Sequence, residues 1–129
     1  MATVGQLMTR DLSAVPGETT IQEAAAHMHG SHIGSLLVET GETFSGIITE
    51  TDVVRAVAER IDVAGTAVSQ LMSKPIVSVE KELSPHYARD LMADKHTRHL
   101  AVTDAGAIVG IISARDLLAY FKTVSQAAV

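Results

Sequence analysis

Gly110-Ile111-Ile112-Ser113-Ala114-Arg115-Asp116 decides how this chain is read, because Gly46-Ile47-Ile48-Thr49-Glu50-Thr51-Asp52 repeats its frame of a glycine, two isoleucines, a hydroxyl residue and an aspartate three positions on. The two stretches lie 64 residues apart, position 110 against position 46. Sliding the chain against itself by that offset, without a gap, also superposes Val4 on Val68, Gln6-Leu7-Met8 on Gln70-Leu71-Met72, Val15 on Val79, Ala24 on Ala88, Met28 on Met92, Leu36 on Leu100 and Val38 on Val102. Between residues 4–59 and 68–123, 15 of 56 pairs are identical, roughly three to four times the chance value for such a composition. One unit is written twice, and a repeat of this period governs the fold.

Composition fits that reading. Each repeat alone is near the length at which an independent core is marginal, so the halves are expected to pack on each other. A hydrophobic content of 47% with 19% charged residues is that of a well-packed globular protein. The net charge of −5 and the scattered bases argue against a nucleic-acid or anionic-membrane footprint. The absence of cysteine excludes disulfides, thiol catalysis and thiolate metal sites, and suits a reducing compartment. No signal-like stretch opens the chain and no apolar run reaches the ~18 residues of a membrane span. The expected location is cytoplasmic.

Val4, Leu7 and Met8 stand at i, i+3 and i+4, which predicts a short helix, and Val68, Leu71 and Met72 repeat it. Leu12 to Val15 reads as a strand ended by Pro16-Gly17. Thr20 with Glu23 forms a capping box for a helix whose apolar stripe is Ile21, Ala24, Ala25 and Met28, with Gly30 as its end. Ser35 to Glu39 and Phe44 to Thr49 predict a hairpin around Thr40-Gly41-Glu42. A helix follows from Glu50 to about Arg60, with Val53, Val54 and Val57 as its inward face. Asp62 to Thr66 links the copies.

The second copy predicts a strand over Ile76 to Val79 and a helix from Ser84 with Pro85 at its first position, where a missing N–H is harmless. Leu91 and Met92 lie on the buried side of that helix. A hairpin over His99 to Thr103 and Ala107 to Ser113 follows. The last helix runs from Ala114 to about Lys122, carrying Leu117, Leu118 and Phe121. A frayed tail is expected from Val124. The predicted class is α/β (α+β), built of two tandem βαββα repeats, each opened by a short helix: repeat 1 over 1–63, repeat 2 over 64–124 and a tail over 125–129.

The two Gly-h-h-[Ser/Thr]-x-x-Asp blocks (h apolar), the Gln-Leu-Met-[Thr/Ser] openings and the strand Ile33-Gly34-Ser35-Leu36-Leu37-Val38 resemble a tandem pair of CBS domains, named after cystathionine β-synthase. The resemblance covers essentially the whole chain. It implies a pseudo-twofold pair with packed sheets and two clefts that accept adenosyl ligands such as AMP, ADP, ATP or S-adenosylmethionine. It also implies two chains pairing into a flat disk, and a regulatory or sensory module, not a catalyst.

Ser113 and Asp116 stand where a strand becomes a helix, and free N–H groups at such a helix start attract phosphate. The Asp carboxylate has acceptors for both hydroxyls of a ribose, and Arg115 has the charge to neutralise a phosphate. The same Ser-x-x-Asp spacing is also a capping box. The two roles are compatible.

Carried over from the family, one cleft combines Thr19, Ile21 and Ala24 with Ser113, Arg115 and Asp116, and adds Arg98 or His99 as a phosphate-side base. The other combines Leu83, Pro85 and Ala88 with Thr49 and Asp52. The second set is poorer: Leu83 stands where the first has Thr19, Thr51 where it has Arg115, and Gly34 where it has Arg98. It is expected to be the weaker site or empty. With four aromatics in the chain and none at the adenine-side positions, adenine is expected to lie between aliphatic groups such as Ile21.

Other motifs carry less. His27, His29 and His32 do not share one helix face at ~100° per residue, so surface histidines are favoured over a metal site. Ser113 lacks triad partners in order, and Met8, Met28, Met72 and Met92 read as core filling. The leading expectation is a ligand-sensing module acting on a separate protein, since 129 residues leave no room for an effector domain. The alternative is a ligand-free homodimerisation or protein-interaction module with vestigial clefts.

Overall fold

The computed structural model describes residues 1–127. They form two compact units that do not follow the order of the repeats. A central unit comprises Ser13–Ile76, and a flanking unit joins Met1–Leu12 to the chain from Val77 onward.

In the central unit, β1 (Ala14–Pro16) runs parallel to β2 (Ser35–Thr40), and β2 pairs antiparallel with β3 (Thr43–Thr49). Parallel neighbours need a crossover, which α2 (Ile21–Ser31) provides. Helix α3 (Glu50–Ala58) follows β3 directly. Leu36 lies opposite Ile48 and Val38 opposite Gly46. Leu36, Val38 and Ile48 therefore present one face of the sheet to Ile21, Ala24 and Met28 of α2 and Ala56 of α3, forming one core.

The flanking unit repeats the plan. β4 (Ser78–Glu80) is parallel to β5 (His99–Asp104), which pairs antiparallel with β6 (Ala107–Ser113), in the order β4-β5-β6. Helices α4 (Pro85–Lys95) and α5 (Ala114–Ala127) complete it. Its core holds Leu100, Val102, Ile112, Ala88, Met92 and Leu117, and also Val4 from α1 (Val4–Leu7) at the start of the chain.

The opening segments explain the division. Val4 N–H donates to the Leu83 carbonyl at 2.8 Å, and at the repeat-equivalent place Val68 N–H donates to the Thr19 carbonyl at 2.8 Å. Val68–Gln70 forms a 3-10 turn where the first copy has α1. Beyond it, Ser73 exchanges backbone hydrogen bonds with Ile47 on the edge of β3, as Thr9 does with Ile111 on the edge of β6. Each copy's opening segment thus packs on the sheet of the other copy.

Local signals set the helix ends. Thr20 and Glu23 form the expected capping box. Gly30 does not end α2: the helix runs through it and stops at His32, whose φ of 55° is left-handed, and α4 stops in the same way at His96 with φ 53°. Helix α5 continues past the expected end near Lys122 to Ala127, while Ala128 and Val129 of the expected tail lie outside the described residues.

One inward face differs from the sequence expectation. On α3, Val54 and Val57 are 66% and 65% exposed, and Asp52 and Ala56 are buried instead. The capping carboxylate fixes the helix rotation, and residue 56, one turn on, shares its face. On α5, Leu117 is buried and Phe121 packs against the core, while Leu118 is 71% exposed. Among the described residues no helix is long and apolar enough to cross a membrane.

Candidate ligand-binding site

The β6–α5 junction gathers five of the sequence-predicted residues. Ser113 ends β6, and its N–H donates to Asp116 Oδ2 at 2.8 Å while Asp116 N–H donates to Ser113 Oγ at 3.2 Å. The pair is a capping box, so the helix-start role of Asp116 is real. His99 lies opposite Ser113 in the β5–β6 register, and the Arg98 carbonyl accepts Ala114 N–H at 2.8 Å, which ties the base-bearing stretch to the helix start. Arg98 and Arg115 are exposed, and neither forms an ion pair among the described residues. Asp116 is half-buried, and its Oδ1 accepts no hydrogen bond among the described residues. The junction therefore presents one carboxylate oxygen and two guanidinium-bearing side chains in a single unit, the donor and acceptor types that a sugar diol and an anionic group require.

The equivalent β3–α3 junction is built differently. Thr49 donates to Asp52 Oδ2 through its N–H at 2.9 Å and its hydroxyl at 3.1 Å, and the Asp52 N–H donates back to Thr49 Oγ1 at 3.3 Å. Ser73 Oγ lies 3.1 Å from Oδ1 and 3.3 Å from Oδ2. Arg55 Nη2 donates to Oδ1 at 3.4 Å and to the Leu71 carbonyl at 3.2 Å. Asp52 is only 4% exposed, and both of its oxygens are engaged. Ser73 and Arg55 were not anticipated from the sequence. Setting the repeats side by side marks both, since Arg55 stands opposite Ala119 and Ser73 opposite Thr9.

The remaining expected residues carry backbone or core roles within their units. In the central unit, the Thr19 side chain is half-buried, and Ile21 and Ala24 are fully buried in the core, with no exposed surface of their own. The first two N–H groups of α2, those of Ile21 and Gln22, donate to the Thr66 and Val63 carbonyls of the linker. That helix start already has its partners. In the flanking unit, Leu83 packs beside the core that contains Ala88, and Pro85 is fully buried. No group of three or more histidines and acids with metal-binding geometry occurs among the described residues.

Comparison with known proteins agrees with this architecture. The CBS domain family model matches residues 4–59 and again 68–123. The CBS domain-containing protein YhcV of Bacillus subtilis is 34% identical over 118 residues, spanning 91% of this chain and 84% of its own length. A solved CBS-domain containing protein from Agrobacterium tumefaciens is 32% identical, with a TM-score of 0.86 over 92% of this chain and 93% of its own. The CBS domain pair of protein MJ0100, solved in complex with 5′-methylthioadenosine and S-adenosyl-L-methionine, shares the fold, with a TM-score of 0.85 over 95% of this chain and 98% of its own at 18% identity. Two matched copies, two three-stranded sheets and a duplicated strand-to-helix junction lead to one conclusion: the chain belongs to the CBS domain family, as a tandem CBS pair.

Proposed function

We propose that this CBS pair is a sensor that binds an adenosyl ligand of the AMP, ADP, ATP or S-adenosylmethionine class and passes its occupancy to a separate protein. The observation that carries the reading is Asp116 Oδ1, which accepts no hydrogen bond among the described residues, in the same junction as Arg98 and Arg115, which form no ion pair among them. Asp116 holds the ribose, and Ser113, Arg115, Arg98 and His99 serve the phosphate or other polar tail. Thr19 contributes on the adenine side, with Ile21 and Ala24 shaping its segment from the core. Thr49, Asp52, Leu83 and Ala88 make a second set, weaker or empty. The module is non-catalytic, works in the cytoplasm and pairs as a homodimer. Ligand shifts its equilibrium only through unequal affinity for two arrangements.

A thermal-shift series with AMP, ADP, ATP, NAD, S-adenosylmethionine and a GTP control, with and without magnesium, tests this. A ligand at ~100 times its Kd stabilises the native state by about 2.7 kcal/mol. The expected result is a concentration-dependent rise with one adenosyl compound that Asp116→Ala removes. A flat series with folded protein would refute the sensor reading.

A second reading, a ligand-free interaction module, draws on the apolar residues Val54, Val57 and Leu118, each about two-thirds exposed or more. Such side chains are the usual material of a protein contact. A flat thermal series combined with self-association lost in Val54→Asp/Leu118→Asp is its expected signature.

A further inference from the structure

The duplicated aspartates have identical positions in their repeats and opposite surroundings. Asp52 has both oxygens engaged, by Thr49, Ser73 and Arg55, and is nearly inaccessible. Asp116 is half-buried, and among the described residues only its Oδ2 accepts a hydrogen bond. The difference arises from two residues outside the shared motif. The Arg55 guanidinium spans Asp52 and the Leu71 carbonyl, so it binds helix α3 to the segment that also carries Ser73. At the equivalent places in the flanking unit, Ala119 has no guanidinium, and Thr9, though paired to Ile111 through its backbone, makes no side-chain bond to Asp116.

We propose that Arg55 and Ser73 form a clasp that withdraws Asp52 from ligand binding, so that each chain takes up one adenosyl ligand, through Asp116. This rests on the adenosyl-ligand reading above and adds its stoichiometry and the residues that set it. To bind a ribose, Asp52 would have to exchange a charged partner and a hydroxyl for the sugar and open a buried position. Asp116 needs no such exchange. A carboxylate whose hydrogen-bonding capacity is already filled contributes little new on binding.

Calorimetric titration with AMP, ADP, ATP and S-adenosylmethionine, each in parallel, tests the clasp on three proteins: wild type, Thr9→Ser/Ala119→Arg, and Arg55→Ala/Ser73→Thr. The first variant transplants the clasp onto Asp116 at two exposed positions, where folding is not at stake. The second gives the central unit the residues that the flanking unit already uses. Wild type is expected to bind one equivalent per chain, and the transplant to lose at least about tenfold in affinity. The released variant is expected to take up a second, weaker equivalent. A transplant that binds like wild type overturns the clasp. So does a wild type that takes two equivalents, one of them lost in Asp52→Ala. Absence of binding in all three proteins refutes the ligand reading itself and this inference with it, whereas binding with unchanged stoichiometry and affinity refutes this inference alone.

Discussion

The side chain of Met8 lies against Gly110, in the place that a Cβ on that glycine would need, and Met72 lies in the same way against Gly46. The two motifs that mark the repeats are therefore two sides of one contact. The glycine of each Gly-Ile-Ile block is the floor on which the Gln-Leu-Met segment of the other copy rests.

Alanine at either glycine is expected to be strongly destabilising. At Gly110 the new Cβ would come 2.8 Å from the Thr9 carbonyl oxygen, and at Gly46 it would come 2.9 Å from that of Ser73. A methionine side chain can turn away, but a backbone oxygen held by paired hydrogen bonds cannot. Overpacking of this kind costs about 1–3 kcal/mol. Urea unfolding of Gly46→Ala and Gly110→Ala should show that loss, while Gly30→Ala, where nothing stands within 4 Å of the new Cβ and the residue is helical, should be neutral or stabilising.

Asp52→Ala and Asp116→Ala should separate in stability. Loss of Asp52 strips Thr49, Ser73 and Arg55 of a shared acceptor and is expected to cost about 2–3 kcal/mol. Loss of Asp116 removes one helix cap and should cost about 1 kcal/mol. Equal costs in denaturant titration would contradict the contrast between the two junctions.

Ala105 sits in the β5–β6 turn with φ 51°, next to Gly106 at φ 85°. A left-handed alanine carries a penalty that glycine does not. Ala105→Gly should stabilise the protein by about 1 kcal/mol, raising the melting temperature by roughly 3–5 °C.

Two surface groups give the stability a pH dependence of known sign. Hydrogen bonds from the Thr20 side chain and then its backbone hold the Glu23 carboxyl below its ordinary 4.5, so its contribution is present above that value and is lost as pH falls through the lowered one. Lys81 is raised above 10.5 by its hydrogen bond to Asp104 and the charge of that carboxylate, so its contribution is present below 10.5 and lost as pH rises through the raised value. Melting curves of Glu23→Gln should lie below wild type at pH 7 and converge with it in acid. Those of Lys81→Met should converge in strong alkali, and a gap that persists there would contradict the Lys81–Asp104 pair.

The element order, both hairpins and the helix starts were legible because they depend on neighbours in sequence: Thr20 with Glu23, Ser113 with Asp116, Gly41 in its turn. The inward face of α3 differs from its apolar pattern at Val54 and Val57, since apolarity marks the core only on average and the residues buried on α3 are Asp52 and Ala56. The end of α2 at His32 was missed because an αL histidine leaves no signal comparable to the nearby Gly30. The Arg55–Asp52–Ser73 clasp joins residues brought together only by tertiary packing. Its trace in the sequence is the mismatch between repeats at 55 and 119 and at 73 and 9.

The attachment of Val4 to Leu83 and into the flanking core also sets an order of assembly on the ribosome. The central unit has all its residues once Ile76 has been made, so it can close its core while the rest is still being translated. Helix α1, made before the central unit, has no site until β4, β5 and β6 exist. Helix α1 thus precedes the central unit in synthesis yet is buried after it, and Val4 stays accessible to chaperones in the interval.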